Sequence, residues 1–337
     1  MEISQIGRRR VYFLSFTIVL SVVTILFVSN WGAFTVSLTD AFFGEKGSLA
    51  KEVFWNLRFP RVILATLLGG TLAWSGALAQ GLFRNPIVDP GLVGITAGSA
   101  FFASVGIVLG TNIPDFPPVW GVIILSFIGG ITTGFLVYLL ARVHGKTEIN
   151  TLLLTGIAIN ALCFAGIGIL SYIANDAQLR NLSLWNMGSL GGASWTTLLR
   201  LGPILLIPLI ASPFLAGPMN VFALGEREAM HLGISVEVLK SVLVLLIGVS
   251  VGACVSLSGN ISFVGLAIPH IVRLIIGQDY KYLLYSSFFL GGALLTIGDG
   301  FCRTVIAPAE IPVGIITAFI GAPVFLFLLN QRKRRLA

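Results

Sequence analysis

The stretch RNPIVDPGLVGITAG, at residues 84–98, decides the fold. It lies between two long apolar segments, yet it contains two prolines, three glycines, an aspartate and an arginine. Irregular backbone at membrane depth must be buried in protein or line a watery cavity. An ordinary loop would explain Asn85-Pro86 but not the run of small residues at 94–100, which lets helix backbones approach closely. The stretch therefore predicts a tight turn that leads into a closely packed helix of a many-helix membrane protein.

The composition of the whole chain agrees with a membrane protein. Of 337 residues, 56% are hydrophobic and 10% are charged, and the mean hydropathy is +0.95. Soluble domains average about 25% charged residues. The apolar run that follows Arg8-Arg9-Arg10 is long enough to span a membrane and has no clear small-residue cleavage site after it. We interpret it as a retained first helix rather than a signal peptide.

Ten apolar segments approach the length of about 20 residues that a spanning helix needs. The eighth is short, and a small interfacial helix is predicted near 181–189. The pattern predicts an all-α polytopic bundle of about ten transmembrane helices, forming one transmembrane domain over 1–337. The predicted spans are 11–29, 60–82, 92–110, 119–142, 151–173, 196–216, 237–258, 262–277, 282–302 and 310–330.

The distribution of charge predicts the orientation of the chain. If both termini lie inside, the inner side carries 14 of the 21 basic residues, and the net charge is +7 inside and zero outside. This is the lysine and arginine bias that orients membrane proteins. Five tryptophans fall near the outer ends, as an interfacial belt would. The excess positive charge is therefore no sign of nucleic-acid binding. The same count predicts that Arg84 and Asp89 lie at the inner membrane face.

Other chemistry is weakly represented in the sequence. It contains no phosphate-binding loop of the GxxxxGK[ST] type, so ATP-driven transport would need a separate ATPase chain. Cys163, Cys254 and Cys302 lie in or near apolar segments without a CxxC or Cys/His cluster, and we predict packing roles and no metal site. An ion-coupled secondary transporter would need ionisable residues at mid-membrane, and an intramembrane enzyme would need a nucleophile and base. The spans favour neither.

Charged residues at the predicted outer ends have two readings. Arg58 and Arg61 open the second span and share a helix face, either as interfacial anchors or as a dock for an acidic partner. Arg303 can join the same ring. Asp299 is either a functional intramembrane acid or a partner of Arg303, four positions on. The helix dipole alone is a sufficient account of Glu310 at the start of the last span.

Two inner segments also have open readings. The loop at 217–236 contains Glu226 to Gly233, which is either a solvated loop helix or a coupling helix that fits a groove on a motor subunit. Gly233 permits a left-handed turn at its end. His270 follows Pro269 in the eighth span, and we expect a packed, hydrogen-bonded histidine rather than a proton relay or metal ligand.

Four motifs in this order resemble one family. They are LRFPR at 57–61, SGALAQGLFRNPIVDPGLVGITAGSA at 75–100, GNISFVGLAIPHIVRLIIG at 259–277 and APAEIPVGIITAFIGAPVFLFLL at 307–329. Together they resemble the FecCD/BtuC-like permease subunits of type II, binding-protein-dependent ABC importers for iron-siderophores, haem and cobalamin. The resemblance covers about residues 55 to 330.

The resemblance implies a bacterial inner-membrane permease with both termini cytoplasmic. It implies a homodimer with two cytoplasmic ABC ATPase subunits, which bind ATP and Mg, and a periplasmic or lipid-anchored substrate-binding protein. This chain would bind no cofactor, and the fifth and tenth spans would line a path along the dimer axis. The implied site residues are Arg58, Arg61 and Arg303 for binding-protein docking, Glu226, Arg227, Glu228, Ala229 and Gly233 for ATPase coupling, and Asn85, Pro86, Asp89, Pro90, Gly91, Gly94, Pro269 and His270 as the family motif.

The cargo is less strongly indicated. LFRNPIVDPGLVG at 82–94 and LWNMGSLGGASW at 184–195 are most similar to the haem-import branch, with ferric siderophore, cobalamin or a metal oxyanion as alternatives. The predicted outer segments contain no histidine. Tyr172 and Met187 are the nearest possible haem-iron ligands, and packing is the expected role of both.

Overall fold

A computed structural model describes residues 2–32, 41, 43 and 48–336. A π-helical segment, Val53–Arg58, joins the second helix to the third, and 3-10 turns cover Pro90–Val93 and Gly110–Asn112. The strands β1 (Arg142–Val143) and β2 (Lys146–Thr147) form a small antiparallel hairpin. The helices are α1 (Glu2–Asn30), α2 (Leu49–Glu52), α3 (Phe59–Leu82), α4 (Ile95–Val108), α5 (Pro118–Leu140), α6 (Ile149–Ile173), α7 (Asp176–Asn186), α8 (Trp195–Leu205), α9 (Ile207–Phe222), α10 (Glu226–His231), α11 (Val236–Ser258), α12 (Val264–Ile276), α13 (Tyr280–Cys302) and α14 (Val313–Leu336).

The predicted fold class, a polytopic α-helical membrane bundle, is confirmed. Within the described residues, eight helical stretches are long and apolar enough to cross a membrane, and α12 and residues 313–327 of α14 are shorter apolar helices. Each of the ten predicted spans overlaps one of these segments. The sixth differs, because it is interrupted at Leu206 between α8 and α9. Pro208 lacks the N–H that a continuous helix would use there.

The interfacial helix also differs from its predicted range of 181–189. It begins earlier, at Asp176, and ends at Asn186. Asn175 and Gln178 form a reciprocal capping box, which satisfies free backbone N–H groups at this helix start. The sequence pattern of apolar residues did not reveal this start, because α7 is amphipathic and largely polar.

Helix α3 is the central element of the bundle. In the most apolar part of the helical stretch that contains α3, 89% of the residues are buried inside the protein. Helix α3 packs most extensively against α13, α12 and α11. Its contact with α12 is close because Gly76 faces Gly265: a Cβ on Gly76 would lie 1.7 Å from the Gly265 carbonyl oxygen. Small residues at such crossings let two backbones approach without a side chain between them.

The segment 84–94 returns into the bundle after α3 ends. Arg84 lies at the end of the bundle, but the Asp89-Pro90 corner packs near Leu72 and Gly265. Leu72 lies ten residues before the end of α3, which is about 15 Å along the helix. The prediction that Asp89 lies at the inner membrane face is therefore wrong in depth. Charge counting assigns a side of the membrane to a loop, but it does not measure how far the loop re-enters.

The Gly76→Ala substitution tests the crossing of α3 and α12. The added Cβ has no room, so we expect a loss of about 1–3 kcal/mol or more in stability. Gly168→Ala is the matched control, because nothing lies within 4 Å of a Cβ at that position. Thermal unfolding of the purified protein in detergent should show a lower midpoint for the first variant only. Equal midpoints would contradict the described packing.

Candidate docking and coupling sites

The charged residues of the bundle gather at its two ends. One end, called here the Arg61 end, joins the C-terminal ends of α1 and α13 to the N-terminal ends of α3 and α14. The other, called the Glu226 end, joins α10 to the start of α11, to the β-hairpin and to the end of α3. Prediction from charge assigns the Arg61 end to the outer side and the Glu226 end to the inner side.

Arg61 forms the centre of the Arg61 end. Its guanidinium binds the Asp299 carboxylate in a bidentate way, with Nη2 to Oδ1 at 2.8 Å and Nε to Oδ2 at 3.0 Å. Its Nη1 also donates to Glu310 Oε1 at 2.9 Å. Asp299 is 1% exposed, whereas the Glu310 side chain is 43% exposed. Planar guanidinium and carboxylate groups suit this paired geometry. The arrangement ties α3 to α13 and to the start of α14.

The other two arginines bind the end of α1. Arg58 Nη1 donates to the Asn30 carbonyl oxygen at 3.1 Å, and Arg303 Nη2 donates to the Val28 carbonyl oxygen. The last carbonyls of a helix have no partner within the helix, so these arginines act as caps. Both side chains are buried. Burial lowers the pKa of Arg303 to about 10, an effect that the Asp299 carboxylate opposes.

The structure thus brings Arg58, Arg61 and Arg303 together at one end, in largely buried positions with internal partners. Asp299 pairs with Arg61 rather than with Arg303, the partner that helical spacing had suggested. Glu310 takes part in the same cluster, a contact that the helix-dipole account missed. Pairs separated by 238 and 249 residues leave no local sequence signal.

Aromatic side chains cover the same end. Trp55 Nε1 donates to the Ala41 carbonyl oxygen at 3.0 Å, and Trp195 Nε1 donates to the Trp55 carbonyl oxygen at 2.7 Å. Phe59 stacks on Phe54 and contacts both tryptophan rings. An apolar ring with one polar edge suits the boundary between lipid and water. The cluster holds the start of α8 against the segment that opens α3.

Lys240 organises the Glu226 end. Its Nζ donates to Glu226 Oε2 at 2.7 Å, to the Thr147 carbonyl oxygen at 3.0 Å and to Glu237 Oε1 at 3.1 Å. The Lys240 side chain is 3% exposed, so a buried ammonium is matched by two carboxylates and a carbonyl. Glu226 also pairs with Arg84 Nη2 at 3.4 Å. One carboxylate therefore links α10 to α11 and to the segment 84–94.

The predicted coupling helix is α10, and it is anchored on one face. Glu226 is held by Lys240, and Ala229 is fully buried. Arg227 and Glu228 are exposed. Gly233 follows with a φ of +84°, the left-handed conformation that its sequence position predicts. The large apolar side chains of Leu224, Met230 and Leu232 are more than half exposed.

The family-motif residues hold the re-entrant turn and α12. Asn85 donates its N–H to the Gln80 carbonyl oxygen at 3.0 Å, and Asp89 Oδ1 accepts from Gly91 N at 2.8 Å. Pro86, Pro90 and Gly94 complete the turn, with Gly94 at a φ of +89°. Pro269 and His270 lie buried within α12, where the His270 ring meets Phe325 edge-on.

Tyr172 and Met187, for which we expect packing roles, are exposed side chains within this single chain. Tyr172 is 91% exposed near the end of α6, and Met187 is 42% exposed. Both lie on apolar surface that this chain leaves open. All three cysteines are buried and free, in keeping with packing.

A cavity of about 200 Å³ opens at mid-depth beside the re-entrant turn. Its polar lining includes Asp89, Asn160 of α6, Asn260 and Ser262. The buried Asn160 Oδ1 has no hydrogen-bond partner within the part of the chain that the structure describes. A shallow groove lined by Met187, Gly314, Ile315 and Phe319 shares Asn260 and Ser262 with this cavity. Irregular polar backbone that lines a cavity at this depth is typical of transport proteins.

The fold and the polar cavity inside it define a class of protein, a polytopic membrane transport subunit. Comparisons with known proteins identify it further. The profile of the FecCD transport family matches residues 11–331, and the chain belongs to that family. It is an ABC importer permease, a transporter rather than an enzyme.

Individual relatives of the chain are permeases of the same kind of transporter. The chain is 41% identical to the hemin transport system permease protein HmuU of Yersinia pestis, over 96% of both chains. It is 37% identical to the cobalamin import system permease protein BtuC of Halobacterium salinarum, over 90% of this chain and 80% of that one. A solved structure described as a metal-chelate type ABC transporter in an inward-facing conformation matches with a TM-score of 0.85 and 31% identity, over 94% and 98% of the two chains.

The Asp299→Asn substitution tests the buried pair at the Arg61 end. It removes the buried carboxylate charge from Arg61 and leaves only the more exposed Glu310 as its charged partner, so we expect a loss near the lower end of about 3–5 kcal/mol. Glu310→Gln removes the exposed partner of the same guanidinium and should cost at most about 1 kcal/mol. Thermal unfolding of both variants in detergent checks which of the two substitutions causes the larger loss of stability. A larger loss for Glu310→Gln would contradict this expectation.

Lys240→Met tests the anchoring of α10. It removes the buried ammonium together with its three hydrogen bonds. We therefore expect the free energy of local opening of α10 to fall by about 1.5 kcal/mol or more, which is a roughly tenfold faster amide exchange. Hydrogen exchange of residues 226–233 measures this. Arg227→Gln is the control, because its side chain is exposed and should leave exchange unchanged. Equal protection in the two variants would show that Lys240 does not hold the helix.

Proposed function

We propose that this permease imports haem or a related iron complex as a homodimer, powered by two ATPase subunits that bind ATP and Mg. An outer binding protein, periplasmic or lipid-anchored, delivers the cargo. The full-length similarity to the hemin permease HmuU, 41% over 96% of both chains, carries the choice of cargo. Cobalamin is the second candidate, because a cobalamin permease is 37% identical over 90% of this chain.

The proposed translocation path runs between two copies of the chain, along the faces of α6 and α14. The window of α6 is only 28% buried, and it exposes large apolar side chains. Phe164 and Asn160 of α6 line the mid-depth cavity, and Ile315 and Phe319 of α14 line the adjoining groove. These surfaces are mainly apolar with a few polar groups, which suits a large flat cargo that must not bind tightly.

Coupling to ATP hydrolysis is proposed to pass through Glu226. The exposed apolar side chains of Leu224, Met230 and Leu232 around α10 offer contact area for a groove on the ATPase. Glu226 binds Lys240 and Arg84 together. A displacement of α10 therefore reaches both α11 and the segment 84–94, whose Asp89 corner lines the cavity. This gives a continuous set of contacts from the motor side to the path.

Docking of the binding protein is proposed at the Arg61 end. Arg61 already holds two carboxylates, and Glu310 is the more exposed of them. An acidic side chain of the binding protein can replace Glu310 on Arg61 without breaking the buried Asp299 pair. Arg58 and Arg303 would then contribute to the positive potential around the dock rather than direct contacts.

The cargo assignment is tested with the binding protein that delivers to this permease. We expect it to bind haem more tightly than cobalamin, ferric siderophores or oxyanions, and only its haem-loaded form should stimulate ATP hydrolysis by the assembled permease and ATPase. Empty binding protein and an unrelated binding protein are the controls. Preferential stimulation by cobalamin would replace haem with the second candidate.

A further inference from the structure

The three arginines near the start of α1, residues 8–10, differ in their contacts. Arg10 Nη1 pairs with Asp279 at 3.0 Å, and its Nε donates to the Ile276 carbonyl oxygen at 3.1 Å. Arg10 therefore clamps α1 against the end of α12. Arg8 and Arg9 are exposed and make no ion pair or hydrogen bond within the described side chains. Nothing in the mechanism proposed above uses them.

Arg8 and Arg9 border an open groove of about 510 Å³ between α1 and α12. The floor of the groove is apolar, with Phe13 from α1 and Ile275 from α12. Tyr12 also lines the groove and is 71% exposed. The two arginines therefore place two positive charges beside a groove whose remaining lining is mostly apolar.

The order of residues along α1 follows the order of groups in a phospholipid. Polar Gln5 and basic Arg8 and Arg9 come first, Tyr12 follows, and the apolar span continues from Phe13. Basic residues beside a span lie at the depth of the headgroup phosphates, and aromatic residues lie at the boundary with the acyl chains. The floor of the groove therefore lies at acyl-chain depth.

We propose that this groove binds an anionic phospholipid, with its phosphate on Arg8 and Arg9 and an acyl chain against Phe13 and Ile275. Charge complementarity selects an anionic lipid, because a basic pocket between spanning helices attracts an anionic headgroup. The apolar window of α1 is only 22% buried in protein. A bound lipid adds contact between α1 and α12 where the protein itself supplies little.

Native mass spectrometry of the purified full chain tests the site, with phosphatidylglycerol, phosphatidylcholine and inorganic phosphate as probes. The wild type should retain phosphatidylglycerol in preference to phosphatidylcholine. In the double variant Arg8→Gln/Arg9→Gln that preference should fall by about 25-fold, at roughly fivefold for each arginine. Arg8→Lys/Arg9→Lys should keep most of it. Arg142→Gln, an exposed arginine at the same end of the bundle, is the control and should behave as wild type.

A thermal readout keeps the test independent of lipid co-purification. Phosphatidylglycerol should raise the unfolding midpoint of the wild type and of Arg142→Gln, but not that of Arg8→Gln/Arg9→Gln. Equal lipid preference in that double variant would overturn the proposal. Full displacement of the lipid by inorganic phosphate would also overturn it, since the acyl contact would then contribute nothing. If the double variant lost the mass of the dimer but kept its lipid, a second copy of the chain would cover the groove. That result would also overturn the proposal.

Discussion

The arrangement of this permease depends on one constraint, the enclosure of irregular backbone at mid-depth. The turn at 85–94 breaks helical hydrogen bonding where lipid could not satisfy it, so the turn must be buried in protein or line a water-filled cavity. Helix α3 makes this possible because Gly76 and Gly265 bring α3 and α12 into backbone contact. The Pro90 ring then fits against the same crossing. A polar cavity remains beside Asp89.

The charges of the chain follow from the same constraint. A charge at mid-membrane is costly, so most ionic groups lie at the two ends, where several of them join more than one segment of the chain. Arg61 joins α3, α13 and the segment before α14 through two carboxylates, and Lys240 joins α10, α11 and the β-hairpin. The bundle is therefore fastened at its ends and packed by small residues in its middle. Movement at one end can reach the middle through Arg84 and the segment that follows it.

Much of this could be predicted from the sequence, and the limits have physical causes. Apolar length predicts the spanning helices, because lipid imposes that length directly. The grouping of Arg58, Arg61 and Arg303 at one end follows from the order of the spans, because all three lie at span ends on the same predicted side of the membrane. Their partners do not, because a pair such as Arg61 and Asp299 is made by packing of distant helices. The depth of Asp89 also escapes the sequence, since a loop's charge indicates its side of the membrane but not its re-entry.

We propose that this chain moves its cargo only as part of an ATP-driven assembly. Uptake of haem into proteoliposomes measures this directly, with the permease reconstituted alone or together with its ATPase and binding protein. The account predicts uptake that requires ATP, both partners and a hydrolysis-competent ATPase, and no uptake by the permease alone. Haem uptake by the permease alone under a proton or sodium gradient would contradict it.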